Sequence, residues 1–176
     1  MVRKIKLGGE KLKQYKFYDS DIYGEDLDIC NDEYKNLIKN CCKYTDKLSI
    51  RITNENSNIL KELKPFISEK KFDCKSVYGH YGNNFSNIRF YSVCEGLCNV
   101  ILNNTHSIFE WINGWGYSNP EDPVFYRKDG SIFFCSIIHE GECTLLPRDD
   151  ENVKEIISKK GWTETVRDFS WDINKV

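Results

Sequence analysis

Leu48, Ile50 and Ile52 alternate with Ser49, Arg51 and Thr53. A period of two predicts a half-buried strand there. Just upstream the period changes. Tyr34, Leu37, Ile38, Cys41 and Cys42 recur at i, i+3, i+4, i+7 and i+8, which places them on one face of a helix. Asn31-Asp32 can cap that helix, and its pattern runs out near Tyr44. A shorter strand is predicted over residues 15–18, separated from the helix by an acidic loop at 19–28. Downstream, Ile59, Leu60, Leu63, Phe66 and Ile67 predict a helix over 56–70, which Pro65 should kink or break.

Residues 75–81 and 85–93 flank Gly82-Asn83-Asn84. Both residue types tolerate positive φ, so a hairpin is predicted. The apolar run 97–102 reads as a third strand after a turn at Glu95-Gly96. Thr105 or Ser107 then starts a short helix carrying Ile108, Phe109, Trp111 and Ile112. Asp129-Gly130 between the apolar segments 124–127 and 132–138 is the strongest turn signal in the chain. Residues 142–146 add a strand. Asp149-Asp150 caps a last helix with Val153, Ile156 and Ile157 on its stripe and Gly161 at its stop. Residues 162–171 fit a final strand or a docked tail. This order has no βαβ alternation and no Gly-rich phosphate loop. The predicted fold is α+β, a mostly antiparallel sheet with three to four packed helices, in one domain over 1–176.

Composition narrows the function classes. A chain of 176 residues can bury a sizeable core. Alanine is absent and 14% of residues are aromatic, so Phe, Tyr and Trp must supply much of the core area. The net charge is −2, and Lys and Arg are spread along the chain in short runs. A nucleic-acid binder needs a concentrated basic face, so nucleic acid is not an expected partner. The longest apolar run, 132–138, is far short of a membrane span. Residues 1–14 have a basic start without the apolar stretch of a signal peptide. A cytoplasmic location without membrane contact is therefore expected. Eight cysteines are present. With an adequate apolar content and no secretion signal, they are expected to stay unpaired. Cys41, Cys42 and Cys135 stand at apolar positions, where a free cysteine acts as a small hydrophobe.

Candidate chemistry concentrates between Trp111 and Cys143. His139-Glu140 suggests a metalloprotease pair, but position 143 is Cys where a second His is needed on the same helix face. Cys94 and Cys98 have permitted zinc spacing, with His106 downstream, yet no second pair matches them. A Cys–His nucleophile would need one of the eight cysteines beside His80, His106 or His139, and no local signature surrounds any of them. The acidic loop at 19–28 lacks the alternating acidic order of a calcium loop. The remaining candidate is an acidic-aromatic loop, Trp115, Tyr117, Asn119, Glu121 and Asp122. Exposed aromatics rimmed by charge serve as binding hot spots. Pro123 is expected to hold the Glu121-Asp122 peptide extended with its side chains apart, against paired acid–base work.

The string from Asn119 to Ser131, NPEDPVFYRKDGS, together with Ser136-Ile-Ile-His-Glu-Gly-Glu142 and the segment Tyr23-Gly-Glu-Asp-Leu27, resembles small uncharacterised proteins of Gram-positive bacteria. Some of these carry a sporulation-stage label. A similar Pro-Glu-Asp…Phe…Gly…His-Glu string occurs in immunity-type proteins. The resemblance covers the C-terminal third well and the rest loosely. It implies a cytoplasmic bacterial protein with a binding role, and no established activity, cofactor or catalytic residue. The expectation is a non-enzymatic protein-interaction module, immunity-type in its most specific form, without cofactor or metal. It would bind another protein through Trp115, Tyr117, Asn119, Glu121, Asp122, His139 and Glu140. The alternative is a small hydrolase-like enzyme using His139 with Glu140 or a nearby cysteine.

Overall fold

A computed structural model describes residues 13–20, 24, 26–75, 85–114 and 116–166, without the side chains of 71–75, 85, 86 and 166. In chain order the elements are β1 (Lys13–Tyr18), α1 (Asn31–Tyr44), β2 (Lys47–Ile52), α2 (Asn58–Leu63), β3 (Ile67–Lys75), β4 (Phe85–Ser92), α3 (Glu95–Asn104), β5 (Asn113–Gly114), β6 (Tyr117–Ser118), β7 (Glu121–Tyr126), β8 (Ile132–Ile137), β9 (Glu142–Leu145), α4 (Lys154–Ile157) and β10 (Trp162–Val166). Eight strands form one sheet in the order β10-β1-β9-β8-β7-β2-β4-β3, and β5 and β6 form a separate two-stranded ribbon. Every ladder of the large sheet is antiparallel. The fold is α+β.

Among the described residues the helices lie on one face of that sheet. The stripe of α1, Tyr34, Leu37, Ile38 and Cys41, is buried with Leu48, Ile50, Phe125, Phe134 and Leu145 in one core. The opposite face carries a second buried cluster, Ile88, Phe90, Val124, Tyr126, Ile132 and Cys135, to which no helix contributes. Strand alternation supplies both sets: Val124 and Tyr126 point one way, Phe125 the other. Inside the helical layer a polar chain runs through the core. Trp111 Nε1–H donates to Tyr34 Oη (2.8 Å), Tyr34 to Thr105 Oγ1 (2.7 Å), and Thr105 to the Ile101 carbonyl (2.9 Å). Each buried polar group in it has a partner, which is what makes its burial tolerable.

Several expectations need correction. The apolar run 97–102 is not a strand but part of α3, because Leu97, Cys98 and Ile101 share one buried face. The helix expected over 56–70 ends at Leu63. A 3₁₀ turn, Lys64–Phe66, holds Pro65, and from Ile67 the chain pairs with β4. Proline removes an N–H and blocks the preceding turn, so the helix cannot continue. Cys30 rather than Asn31 is the N-cap of α1, and Val153 rather than Asp149 or Asp150 that of α4. The turn predicted at 82–84 lies outside the described residues, although β3 and β4 pair as a hairpin would. The Asp129-Gly130 turn forms as expected, with Gly130 at φ +82°. The cysteines are not all unpaired: Cys42 of α1 is bonded to Cys98 of α3, with Cα atoms 6.4 Å apart, within bridging reach. No helix among the described residues is long and apolar enough to cross a membrane.

Candidate functional site

Strand registers bring the candidate residues to one end of the sheet. Arg51, near the end of β2, lies opposite Glu121 at the start of β7. Ile137, closing β8, pairs with Glu142, and Glu142 pairs with Tyr18 at the end of β1. The turn Ile138–Glu140 and the β5–β6 ribbon complete this end.

Glu121 and Asp122 do not splay apart. Arg51 Nη1 is 3.2 Å from Glu121 Oε2 and 3.5 Å from Asp122 Oδ2. The other Glu121 oxygen accepts the Asn113 N–H, which ties the ribbon to the strand. The other Asp122 oxygen accepts the Ile138 N–H at 2.9 Å, which ties in the turn carrying His139. Asp122 turns inward because its backbone is left-handed, φ +53°, a conformation Asp adopts more readily than most residues. Both carboxylates are nearly buried. They are a joint that holds the corner rather than a charged rim on an exposed surface.

Asn119 is also structural. Its Nδ2 donates to the Glu110 carbonyl (2.9 Å), and its Oδ1 accepts from Ser57 Oγ (3.5 Å). Tyr117 differs: its side chain is 44% exposed on β6. His139 and Glu140 are partly exposed, with His139 Nε2 3.7 Å from Glu140 Oε1. Trp115 lies outside the described residues. The structure therefore gathers Tyr117, His139 and Glu140 around a buried joint made by Glu121, Asp122 and Arg51. Tyr18, 43% exposed, joins them from β1. The sequence reading passed over Tyr18 because it ends an alternating strand with no charge or turn signal of its own.

Position 141 takes glycine for a clear reason. Gly141 has φ +66°, and a Cβ there would fall 2.3 Å from the Asp19 carboxyl carbon. The Asp19 N–H donates to the Gly141 carbonyl (2.9 Å), which binds the end of β1 to the same corner.

Burial bears on the nucleophilic reading of several cysteines. A reactive thiol needs its pKa lowered. Burial pushes the Cys41 and Cys143 thiols well up, and burial with the charge of Asp28 raises that of Cys30. Cys143 faces the helix-side core. Cys98 is in the disulfide, so Cys94 and Cys98 cannot offer two thiolates together. No group of three or more metal-ligating side chains occurs among the described residues. A groove that the sequence did not disclose lies elsewhere, where the start of α1 meets the end of α4 and Trp162. Its residues come from segments too far apart in the chain for any local pattern to join them. Comparison of the chain with protein-family models, with curated proteins and with solved structures returned no match.

Proposed function

We propose that this chain is a non-enzymatic protein-interaction module that binds a partner through the sheet end bearing Tyr18, Tyr117, His139 and Glu140. The observation that carries this reading is the position of the exposed tyrosines. Among the described residues, Tyr18 and Tyr117 are the large hydrophobic side chains left exposed. Register puts Tyr18 at this end of the sheet, and the Asn113 N–H bond to Glu121 ties the ribbon that carries Tyr117 to it. Tyrosine offers large rigid contact area with a polar tip and is enriched among binding hot spots. The Arg51, Glu121 and Asp122 joint ties the ribbon of Tyr117 and the turn of His139 to the sheet, so little order has to be imposed on binding there. An immunity-type neutraliser is one form of such a module. A cytoplasmic location belongs to this reading only with the Cys42–Cys98 pair reduced, since disulfides persist mainly in oxidising compartments.

The test is capture of a stoichiometric partner, followed by calorimetry between the two purified proteins. Tyr18→Ala with Tyr117→Ala should weaken the complex at least tenfold while thermal unfolding stays unchanged, because both side chains are exposed. Equal affinity in the double variant would remove this surface from consideration. Glu121→Ala is a poor probe, because it would loosen the corner itself.

A further inference from the structure

The β5–β6 ribbon holds the one Asn-Gly pair in the sequence, Asn113-Gly114. Asparagine before glycine has a reaction of its own. The glycine amide nitrogen can attack the asparagine side-chain carbonyl carbon and close a five-membered ring, and no Cβ on the glycine stands in the way. The fold leaves this pair free to react. Asn113 is exposed, and its side-chain amide has no hydrogen-bond partner among the described residues. The side-chain amides of Asn40, Asn104 and Asn119 instead each donate to a main-chain carbonyl at 2.9 Å. Gly114 has nothing within 4 Å of an added Cβ, so the space beside it is open. The ribbon has two rungs, Asn113↔Ser118 and Gly114↔Tyr117, and stands apart from the large sheet. Its anchoring bonds lie at its base. The Asn119 N–H donates to the Ile112 carbonyl (3.1 Å), the Asn113 N–H to Glu121 (3.3 Å) and Asn54 Nδ2 to the Ser118 carbonyl (3.4 Å). Gly114 and Tyr117 form the outer rung. A two-stranded ribbon this short opens at little cost, and opening lets Asn113 leave the extended conformation for the attack.

From this placement we infer that Asn113-Gly114 is a self-modification site, at which the asparagine becomes aspartate or isoaspartate. The Gly114 nitrogen gives up its proton and bonds to Asn113 Cγ. The Cγ–Nδ2 bond breaks, and the nitrogen leaves as ammonia. Water then opens the succinimide ring. Attack at Cγ gives aspartate. Attack at the main-chain carbonyl gives isoaspartate, in which the main chain runs through the former side chain. Water is the sole co-reactant. Both products carry a new negative charge on the residue whose N–H already bonds Glu121. Isoaspartate also adds a methylene to the main chain between the two rungs, so the outer rung loses its register. The site lies on the ribbon of Tyr117, but its chemistry stands whether or not that surface binds a partner.

The test incubates the full chain at neutral and mildly alkaline pH, folded and in urea. Peptide mapping with electron-transfer fragmentation then separates asparagine, aspartate and isoaspartate at each position. Residue 113 should convert first among the described asparagines, and faster as pH rises, because the Gly114 amide must lose its proton. The folded rate should lie within about tenfold of the rate in urea, as a low opening cost requires. Gly114→Ala should slow conversion by about tenfold in folded and unfolded chain alike, since its methyl crowds the attacking nitrogen. Asn113→Gln should abolish it. Hydrogen exchange at Tyr117 and Ser118 should quicken in the isoaspartate form while β7 keeps its protection. A folded rate further below the urea rate, earlier conversion at another described asparagine, or an unchanged rate in Gly114→Ala would each overturn the assignment. Unchanged exchange in the isoaspartate form would overturn its effect on the ribbon.

Discussion

Each end of β7 sets an arginine against carboxylate oxygens, and the two arrangements differ in what they leave outside. At the β7–β8 turn, Arg127 is closed in. Its Nε donates to Glu151 Oε1 (2.6 Å) and its Nη1 to the Ile132 carbonyl (2.6 Å). Its Nη2 donates to Glu151 Oε2 (2.5 Å) and to the Leu146 carbonyl (2.7 Å). Both side chains of the pair are 6% exposed, and the guanidinium lies over the Phe133 ring. At the other end, Arg51 meets Glu121 and Asp122 with part of its side chain in water. The closed end joins strands and stops. The open end uses the same chemistry to tie down the ribbon of Tyr117 and the turn of His139, whose side chains stay at the surface. Ion pairs of one kind can thus be structural in full or a mount for something else, and burial decides which.

The largest effect should come from breaking the closed pair. Glu151→Gln leaves Arg127 buried without its counter-ion and should cost about 3–5 kcal/mol, read from urea denaturation. Glu121→Gln at the open end should cost about 1 kcal/mol, since Arg51 keeps solvent and Asp122. Similar losses at both ends would dissolve the distinction.

The glycines of the two turns give a finer comparison. Gly130 has φ +82° with nothing within 4 Å of an added Cβ, so Gly130→Ala should cost only the backbone strain, about 1 kcal/mol. Gly141→Ala adds a collision with the Asp19 carboxyl and should cost about 2 kcal/mol. Adding Asp19→Ala to Gly141→Ala should bring the cost back towards that of Gly130→Ala. An unchanged cost would mean that Asp19 is not what holds the corner tight.

The smallest effects are in the pH dependence, and their signs are opposite. At the closed end, hydrogen bonds from Arg148 and Ser131 hold the exposed Asp129 carboxyl well below the usual range. Its contribution is present above the unfolded value of about 3.9 and is lost as pH falls through the depressed one. Near the open end, where the Leu27 N–H donates to the Asp19 carbonyl, burial raises Asp28 against the pull of bonds from Ser107 and Ile29. The folded chain holds that proton more tightly than the unfolded chain. Its contribution is therefore present in acid and lost as pH rises through the raised value. Melting temperatures from pH 3 to 7 should show Asp129→Asn losing a little stability at the upper end and Asp28→Asn gaining a little. The same sign in both would refute the assignment of causes.

Periodicity made most of the sheet legible. β2, β7, β8 and β9 follow from alternation and the Asp-Gly turn, and α1 from its five-residue stripe. Two segments were misread because short apolar runs carry either period: 97–102 is helical, and the chain past Pro65 is strand. The candidate site was legible in location but not in role. Nothing in a linear string says that Glu121 and Asp122 face an arginine seventy residues upstream, and so a charged rim was expected where a buried joint stands. The disulfide was hidden for the same reason. Cys42 fits a helical stripe as a small apolar residue, and only the packing of α1 on α3 brings it to Cys98.

That bond also changes the chain as a graph. It closes residues 42–98 into a covalent ring that contains β2, α2, β3 and β4. By chain entropy a ring of this size narrows the unfolded ensemble by roughly 4 kcal/mol. One cut peptide bond inside it opens the ring without separating the molecule, whereas one cut outside it releases a fragment. Protein nicked between 43 and 97 should therefore migrate as a single species until a thiol reductant is added, and then as two.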